Sequence, residues 1–113
     1  KTRPYDNDTA YRQAKQANRM MSAGFAGKLK QAGIMVNACH PGDVNSKLSN
    51  AFGFGGDETP EEGAATPLYL ALSPEMKEKT GLYFEHLKPV TCQFSGDQAA
   101  VDRLFNLLSG SGL

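Results

Sequence analysis

Residues in the N-terminal part of the chain recur at steps of three and four, the spacing of one helical face. Residues 1–7 are polar, and Asp8 or Thr9 is expected to open the helix. Small residues make this helix slim, so another element could approach closely, and packing must hold it because its glycines lower helix propensity. Gly33 is placed to end it as the C′ residue. The recurring positions are Tyr11, Ala14, Asn18, Met21, Phe25 and Leu29, and the small residues are Ala17, Ala23, Gly24, Ala26 and Gly27.

A short apolar run, Ile34–His40, follows directly and stops at Pro41-Gly42. A run of this length after a helix is typical of a strand buried in a parallel sheet. Residues 42–59 are then rich in Gly, Asn, Ser and Asp. We expect residues 42–59 to form a long polar loop, and loops of this length in compact domains are usually functional or disordered.

A capping box indicates the start of a second helix. Thr59 is placed as the N-cap, Pro60 as the first helical residue and Glu62 as the residue that closes the box. The helix is predicted to run to about Leu72, and Pro67 inside it should bend or locally break it.

The C-terminal part of the chain predicts a connector, a strand and a helix. Ser73–Thr80 is a charged connector that could be helical, and Gly81–Glu85 is the strand. Ser95 and Gln98 form another capping-box pattern ahead of an amphipathic helix, and Ser109–Leu113 is expected to be a frayed tail. The apolar positions of that helix are Ala100, Val101, Leu104, Phe105 and Leu108.

The predicted order is helix, strand, long loop, helix, strand, helix. Helices that alternate with buried strands indicate an α/β fold with a parallel sheet. A parallel pair of strands makes a poor sheet and needs further strands at its open edge. We therefore expect part of the fold to lie upstream of Lys1, and a first residue other than Met fits a fragment.

Composition argues against several classes of partner. The 113 residues carry 12 Lys and Arg against 12 Asp and Glu, so the chain has no net charge to attract nucleic acid or an anionic membrane. No apolar run approaches the ~20 residues that span a bilayer, and no signal peptide is recognisable. We expect a cytoplasmic protein or leave the compartment unknown, since targeting or anchor segments could lie upstream. Cys39, Cys92, His40 and His86 lack the spacing of a zinc site, and we expect no metal.

Candidate chemistry begins with Tyr11 and Lys15, which lie four residues apart on the first helix and therefore share a face. A phenol has a pKa of about 10 and is a poor acid or base at neutral pH. A nearby ammonium favours the phenolate, so such a pair could exchange a proton with a carbonyl or an alcohol. A solvated helical face is the common alternative for this spacing.

A second candidate region, Pro41–Ser46, follows the predicted strand Ile34–His40. Open α/β sheets bind ligands at the C-terminal ends of their strands. Main-chain groups and the Ser46 hydroxyl could bind an amide-bearing ligand there.

Four stretches, in order and with suitable spacing, make the chain resemble the short-chain dehydrogenase/reductase family, in particular its retinol-dehydrogenase-like and WW-domain-oxidoreductase-like members. The resemblance covers roughly residues 8–105. The stretches are AYRQAKQAN (Ala10–Asn18), VNACHPGDVNS (Val36–Ser46), TPEEGAATPLYLAL (Thr59–Leu72) and GLYFE (Gly81–Glu85).

The resemblance implies that Tyr11 is the catalytic acid/base and that Lys15 holds the nicotinamide-ribose hydroxyls and favours the phenolate. Both would contact the cofactor, which is NAD or NADP, since the segment that distinguishes the two is not in this chain. The substrate would be a small-molecule alcohol or carbonyl compound, and homo-oligomerisation stays open.

The resemblance also assigns a ligand turn and a substrate loop. Pro41, Gly42 and the Val44 main chain would face the nicotinamide carboxamide, and Ser46 stands where the family usually has Thr. Residues 47–58 would form the substrate-binding loop. Its apolar contacts would be Leu48, Phe52 and Phe54.

The implied fold is the C-terminal portion of a Rossmann-like doubly wound parallel sheet, with about two strands and three helices. Residues 1–113 would be the C-terminal catalytic part of a single dehydrogenase domain whose N-terminal dinucleotide-binding half is absent. The family's Gly-rich phosphate turn and catalytic Ser precede the Tyr helix. Gly53–Gly56 does not replace that turn, because no strand leads into it.

The sequence leaves three hypotheses. The first is an NAD(P)-dependent oxidoreductase acting on a hydrophobic alcohol or carbonyl compound, with this chain inactive by itself. The second is a non-catalytic truncated fold remnant that acts through protein contacts. The third is an unrelated small α/β domain with an accidental Tyr/Lys pair, which the length of the match disfavours. A Gly-rich strand–turn–helix encoded just before Lys1 would favour the first, and a start codon there the second.

Overall fold

The computed structural model describes residues 3–110, and its first element is a long helix, α1 (Asn7–Leu29). This helix begins slightly earlier than the predicted Asp8 or Thr9. The reason is that the Asp6 side chain accepts the Thr9 N–H at 2.8 Å and caps the helix, which therefore begins at Asn7. Hydrogen bonding from the Thr9 side chain, and then from its backbone N–H, lowers the pKa of the Asp6 carboxyl.

The C-terminal end of α1 follows the prediction. A 3₁₀ turn at Lys30–Ala32 leads to Gly33, which has a φ of 73°. This left-handed conformation is the one that glycine adopts most readily after a helix, so the expected role of Gly33 is confirmed.

The slimness of α1 matters where it packs against α4 (Gln98–Gly110). Phe105 Cδ2 lies 2.6 Å from the position that a Cβ of Gly24 would occupy. The rings of Phe25 and Phe105 also meet edge to face, with centroids 5.1 Å apart. The close approach predicted from the small residues is therefore confirmed at Gly24.

The described residues contain a sheet of three short strands, β1 (Ala38–His40), β2 (Tyr83–Glu85) and β3 (Lys88–Val90), in that spatial order. β1 and β2 are parallel, with Ala38 opposite Tyr83, whereas β2 and β3 are antiparallel. The expected all-parallel sheet is thus wrong beyond the β1–β2 pair. The α/β arrangement with a mixed sheet is compatible with part of a Rossmann-like fold.

β1 is shorter than the predicted strand Ile34–His40, because the pairing ahead of it mixes backbone and side-chain hydrogen bonds. The Gly81 N–H donates to the Val36 carbonyl at 2.8 Å, but the Val36 N–H donates to Thr80 Oγ1 at 2.9 Å. Asn37 Oδ1 accepts the Leu82 N–H at 3.0 Å, so a regular ladder begins only at Ala38.

The sequence does not predict β3. His86 and Leu87 join it to β2 with φ values of 46° and 65°, which make the tight two-residue turn of a hairpin. This pair lacks the usual Asn-Gly or Asp-Gly signature, and Pro89 argues against a strand because it cannot donate to a ladder. For these two reasons the sequence does not indicate a hairpin here.

The polar segment after β1 is partly structured. It contains a short helix, α2 (Lys47–Ala51), which Ser46 caps by accepting the Ser49 N–H at 3.0 Å. An isolated parallel bridge joins Val44 to Glu58. The expected loop is therefore held at both of its ends.

The predicted capping box is confirmed at the start of α3 (Pro60–Leu72). The Thr59 N–H donates to Glu62 Oε2 at 2.8 Å, and the Glu62 N–H donates to Thr59 Oγ1 at 3.2 Å. The helix is continuous through Pro67, so a local break is wrong. Capping at the start and burial of Thr66, which is 4% exposed, hold the helix despite the hydrogen bond that Pro67 cannot donate.

The predicted capping box of Ser95 and Gln98 is wrong. Asp97 Oδ1 accepts the Ala100 N–H at 3.0 Å and takes the capping role. The Ser95 hydroxyl instead donates to the Cys92 carbonyl at 3.2 Å, in the turn ahead of the helix.

The core lies between α1, α4 and the sheet. Phe84 of β2 and Val101 of α4 are 2% and 1% exposed, and Met76, in a 3₁₀ turn of the connector, is also buried. α4 continues through Ser109 to Gly110, so the part of the expected frayed tail that is described is helical. Residues 111–113 lie outside the described residues. None of the helices within 3–110 is long and apolar enough to cross a membrane.

Candidate active site

An open groove of about 710 Å³ lies between α1 and β1 and reaches the turn after β1. Tyr11 and Lys15 line its helical side. Pro41 and Gly42 line it where the strand ends. The fold thus brings together four of the residues that the sequence singles out, from two segments separated along the chain.

Tyr11 and Lys15 lie on the same face of α1, as their spacing predicts. The Lys15 Nζ is 5.5 Å from the centroid of the Tyr11 ring, a distance at which an ammonium interacts with an aromatic face. Tyr11 is 63% exposed, and Lys15 is exposed as well. Both polar tips are therefore accessible to a ligand in the groove.

The turn after β1 has a glycine where a side chain would not fit. Gly42 has a φ of 90°, and its N–H donates to His40 Nδ1 at 2.8 Å. Two further backbone hydrogen bonds tie the turn to the segment before α3: Glu58 N–H donates to Asp43 O at 3.0 Å, and Asn45 N–H donates to Glu58 O at 2.8 Å. These bonds fix the turn to Glu58, while Pro41 and Gly42 line the groove.

Val44 and Ser46 do not line the groove. The Val44 side chain contacts α3 at Gly63, where a Cβ would overlap it. Ser46 caps α2 through its hydroxyl. The Val44 side chain and the Ser46 hydroxyl thus have local partners, and the ligand contacts that the resemblance implies for the Val44 main chain and for Ser46 stay predictions.

The three apolar residues assigned to the substrate loop also lie outside the groove. Leu48 and Phe52 are each 68% exposed, and Phe54 is 79% exposed. The glycine turn after α2 is closed by the Ser49 hydroxyl, which donates to the Gly55 carbonyl. The loop presents these side chains to its surroundings.

Arg19 and Tyr83 also line the groove, and the sequence reasoning missed both. The Arg19 guanidinium lies 5.0 Å from the Tyr83 ring centroid, and its Nη1 donates to the Tyr83 hydroxyl at 3.2 Å. That hydroxyl donates to Glu85 Oε1 at 2.8 Å. Burial, and then the hydrogen bond to Glu85, raise the pKa of Tyr83. Helical spacing could have found Arg19, since it follows Lys15 by four residues.

The cysteines differ in environment. Cys39 lies in β1 and lines the groove, and burial raises the pKa of its thiol. Burial also raises the pKa of Cys92, but hydrogen bonds from Ser95 and Gln16 and the charge of Arg19 outweigh it, so the net shift is downward.

Within residues 3–110 no three His, Cys, Asp or Glu side chains are grouped so that they could hold a metal ion.

Comparison with known proteins gives relatives of one kind. The chain is 40% identical over 101 residues to a probable oxidoreductase of Streptomyces antibioticus, covering 74% of this chain and 34% of that protein. It is 32% identical over 115 residues to the chloroplastic short-chain dehydrogenase TIC 32 A of Brassica napus, covering 90% and 36%. It is 32% identical over 97 residues to human retinol dehydrogenase 14, covering 74% and 29%.

No family model and no solved structure matches the chain. The chain spans about a third of the length of the curated relatives it matches, 34% and 36% for the first two. These relatives agree in kind, and each is matched over 74% or more of this chain. By this similarity the chain belongs, as a C-terminal part, to the short-chain dehydrogenase/reductase family.

Proposed function

We propose that this chain is the C-terminal catalytic part of an NAD(P)-dependent oxidoreductase that interconverts an alcohol and a carbonyl compound. The observation that carries the proposal is the groove in which Tyr11 and Lys15 face the Pro41-Gly42 turn. A proton-transfer group, a cation and an open main-chain turn are then available to one ligand. The oxidoreductase relatives support the same reaction class.

The residues of the groove suit the nicotinamide end of a dinucleotide. The exposed Lys15 ammonium offers donors for ribose hydroxyls. Pro41 and Gly42 line the groove, so the main chain of the turn is available to a flat amide bound there. When bound, the cofactor supplies or accepts the hydride. During reduction the Tyr11 hydroxyl donates its proton to the carbonyl oxygen, and during oxidation the phenolate removes the proton of the alcohol.

Residues 1–113 then form part of one dehydrogenase domain, and an upstream half holds the pyrophosphate. Support comes from the share of the relatives that the chain spans, 34% and 36%. Binding of a pyrophosphate needs a glycine-rich turn that opens onto a helix N-terminus. Gly53–Gly56 follows the short helix α2 rather than a strand and does not meet this requirement. We call the chain together with that upstream half the full-length protein.

A hydrophobic alcohol or carbonyl compound is the substrate class we propose. Leu48, Phe52 and Phe54 are exposed apolar side chains on the loop that follows the ligand turn. Among the relatives, retinol dehydrogenase 14 is named for a hydrophobic alcohol. The choice between NAD and NADP belongs to the upstream half.

The test is Tyr11→Phe in the full-length protein, which removes only the hydroxyl. Turnover of an aliphatic alcohol with NAD or NADP should fall by ~10²–10⁴-fold, while cofactor affinity stays nearly unchanged. Tyr5→Phe is the matched control, since Tyr5 is 82% exposed and does not line the groove. Near-normal turnover of Tyr11→Phe would remove the assignment and favour a non-catalytic remnant that acts through protein contacts.

A further inference from the structure

Glu58 connects the start of α3 to the back of the ligand turn. It directly precedes the capping residue Thr59. Its N–H donates to the Asp43 carbonyl at 3.0 Å, and its carbonyl accepts the Asn45 N–H at 2.8 Å. The Glu58 main chain therefore pairs with the turn residue Val44 in an isolated bridge. The resemblance places Glu58 at the end of the substrate loop, residues 47–58, and gives its side chain no role of its own.

The Glu58 side chain lies against Gly42. A Cβ on Gly42 would overlap the Glu58 carboxylate, so the glycine makes room for this group. Gly42 also has a φ of 90°, which side-chain-bearing residues rarely adopt. The shape of the turn is therefore matched to the carboxylate behind it.

The rest of the carboxylate is also confined. Glu58 Oε1 lies 3.5 Å from His86 Nδ1, on the tight turn between β2 and β3, close enough for an ion pair when the imidazole is protonated. Glu58 Oε2 is buried and has no hydrogen-bond partner among the described residues. Only 24% of the side chain is exposed. The carboxylate is thus wedged between the ligand turn and the hairpin turn.

We infer that Glu58 is a positioning residue for the cofactor: its side chain supports Gly42 and fixes the Pro41-Gly42 turn in the shape that receives the nicotinamide end. The inference rests on the proposed function, because the turn matters only if it binds that ligand. Removing the support should weaken binding more than the chemical step, since Tyr11 and Lys15 lie on a different element.

The binding test compares Glu58→Ala with Glu58→Gln in the full-length protein. Glu58→Ala removes the support and should raise the Kd for the preferred reduced cofactor, NADH or NADPH, by about tenfold. Turnover at saturating cofactor should change much less. Glu58→Gln keeps the size of the side chain and should restore most of the affinity.

Glu61→Ala is the matched control. Glu61 is a nearby exposed carboxylate in the first turn of α3, and it does not line the groove. Its loss should leave cofactor affinity unchanged. Equal affinity of Glu58→Ala and Glu61→Ala, or no recovery in Glu58→Gln, would overturn the inference.

Hydrogen exchange separates this inference from the proposed function. Glu58→Ala should speed exchange of the backbone amides at positions 45 and 58, which bond across the turn, while Glu61→Ala should not. If exchange and affinity respond but Tyr11→Phe keeps full turnover, the positioning role stands and the catalytic proposal fails. If Tyr11→Phe is inactive but neither exchange nor affinity responds to Glu58→Ala, the positioning role fails alone.

Discussion

At the residue scale, three cations of α1 line the groove, and the first of them, Arg12, is paired with Asp8 at 2.8 Å. Lys15 lies with its ammonium 5.5 Å from the Tyr11 ring centroid, and Arg19, one turn further on, stacks on Tyr83 at 5.0 Å. Arg19 is already engaged by the Tyr83 hydroxyl and by Gln16, at 3.2 and 2.7 Å. Lys15 has no such partner in the described structure apart from the Tyr11 ring, so it is the cation available to a ligand.

Because the Lys15 ammonium is available to a ligand, substituting Lys15 should affect cofactor binding as well as the proposed proton transfer. Lys15→Ala in the full-length protein should reduce both cofactor affinity and turnover, because the ammonium is proposed to hold the ribose and to favour the phenolate of Tyr11. Lys15→Arg keeps the charge but not the compact geometry and should be only partly tolerated. Steady-state kinetics with a measured cofactor Kd separates the two effects.

The double variant Tyr11→Phe/Lys15→Ala completes the cycle. Its turnover should be little below that of the poorer single variant, since both residues serve one step. Multiplicative losses from the two substitutions would mean that Tyr11 and Lys15 act independently.

At the element scale, the contact between α1 and α4 depends on one missing side chain. The Phe105 ring occupies the space beside Gly24 and is itself held edge to face by Phe25. Gly27, one turn along α1, has no atom within 4 Å of the place where its Cβ would be. A side chain at Gly24 would therefore clash with Phe105, whereas one at Gly27 in the same helix would meet no other atom.

Substituting each glycine by alanine tests this difference. Gly24→Ala should lower the free energy of unfolding of the full-length protein, because overpacking of about 1–3 kcal/mol exceeds the gain in helix propensity of ~1 kcal/mol. Gly27→Ala should instead raise it by ~0.5–1 kcal/mol. Urea unfolding measures both changes, and an equal stabilisation by the two substitutions would contradict the packing argument.

At the scale of the whole molecule, the chain is more extended than a compact domain of its size. Its radius of gyration is 15.8 Å, against about 13 Å for ~100 residues. Among the described residues, β1 has a neighbour only on the β2 side, so its other edge has no strand beside it. The groove opens along this same strand.

These features predict how the 113-residue chain behaves by itself. It should show no dehydrogenase activity and very weak NAD(P)H binding, since within residues 3–110 no glycine-rich turn joins a strand to a helix N-terminus that could hold the pyrophosphate. Its thermal unfolding should be broad, with a tendency to aggregate through the open strand edge. Calorimetric titration with NADH and NADPH, together with a thermal scan of the monomer, tests both statements. Micromolar binding, or a sharp and reversible two-state transition, would contradict them.

The sequence by itself determined those features whose cause lies within a few residues. The helical face of Tyr11 and Lys15, the capping box at Thr59 and the left-handed Gly33 depend on local spacing and local hydrogen bonds, and the structure has each of them. The sequence also predicted a strand that ends at Pro41-Gly42, because an apolar run and a turn signal adjoin there.

The tertiary structure decided what depends on partners distant along the chain. Side-chain hydrogen bonds from Thr80 and Asn37 interrupt the ladder ahead of β1, and the His86-Leu87 turn adds β3 although Pro89 argues against a strand. The Glu58 carboxylate came to lie behind Gly42, and Arg19 came to lie on Tyr83. Such contacts join residues that no periodicity relates, because their free energy comes from packing and hydrogen bonding between elements and not from the preferences of one segment.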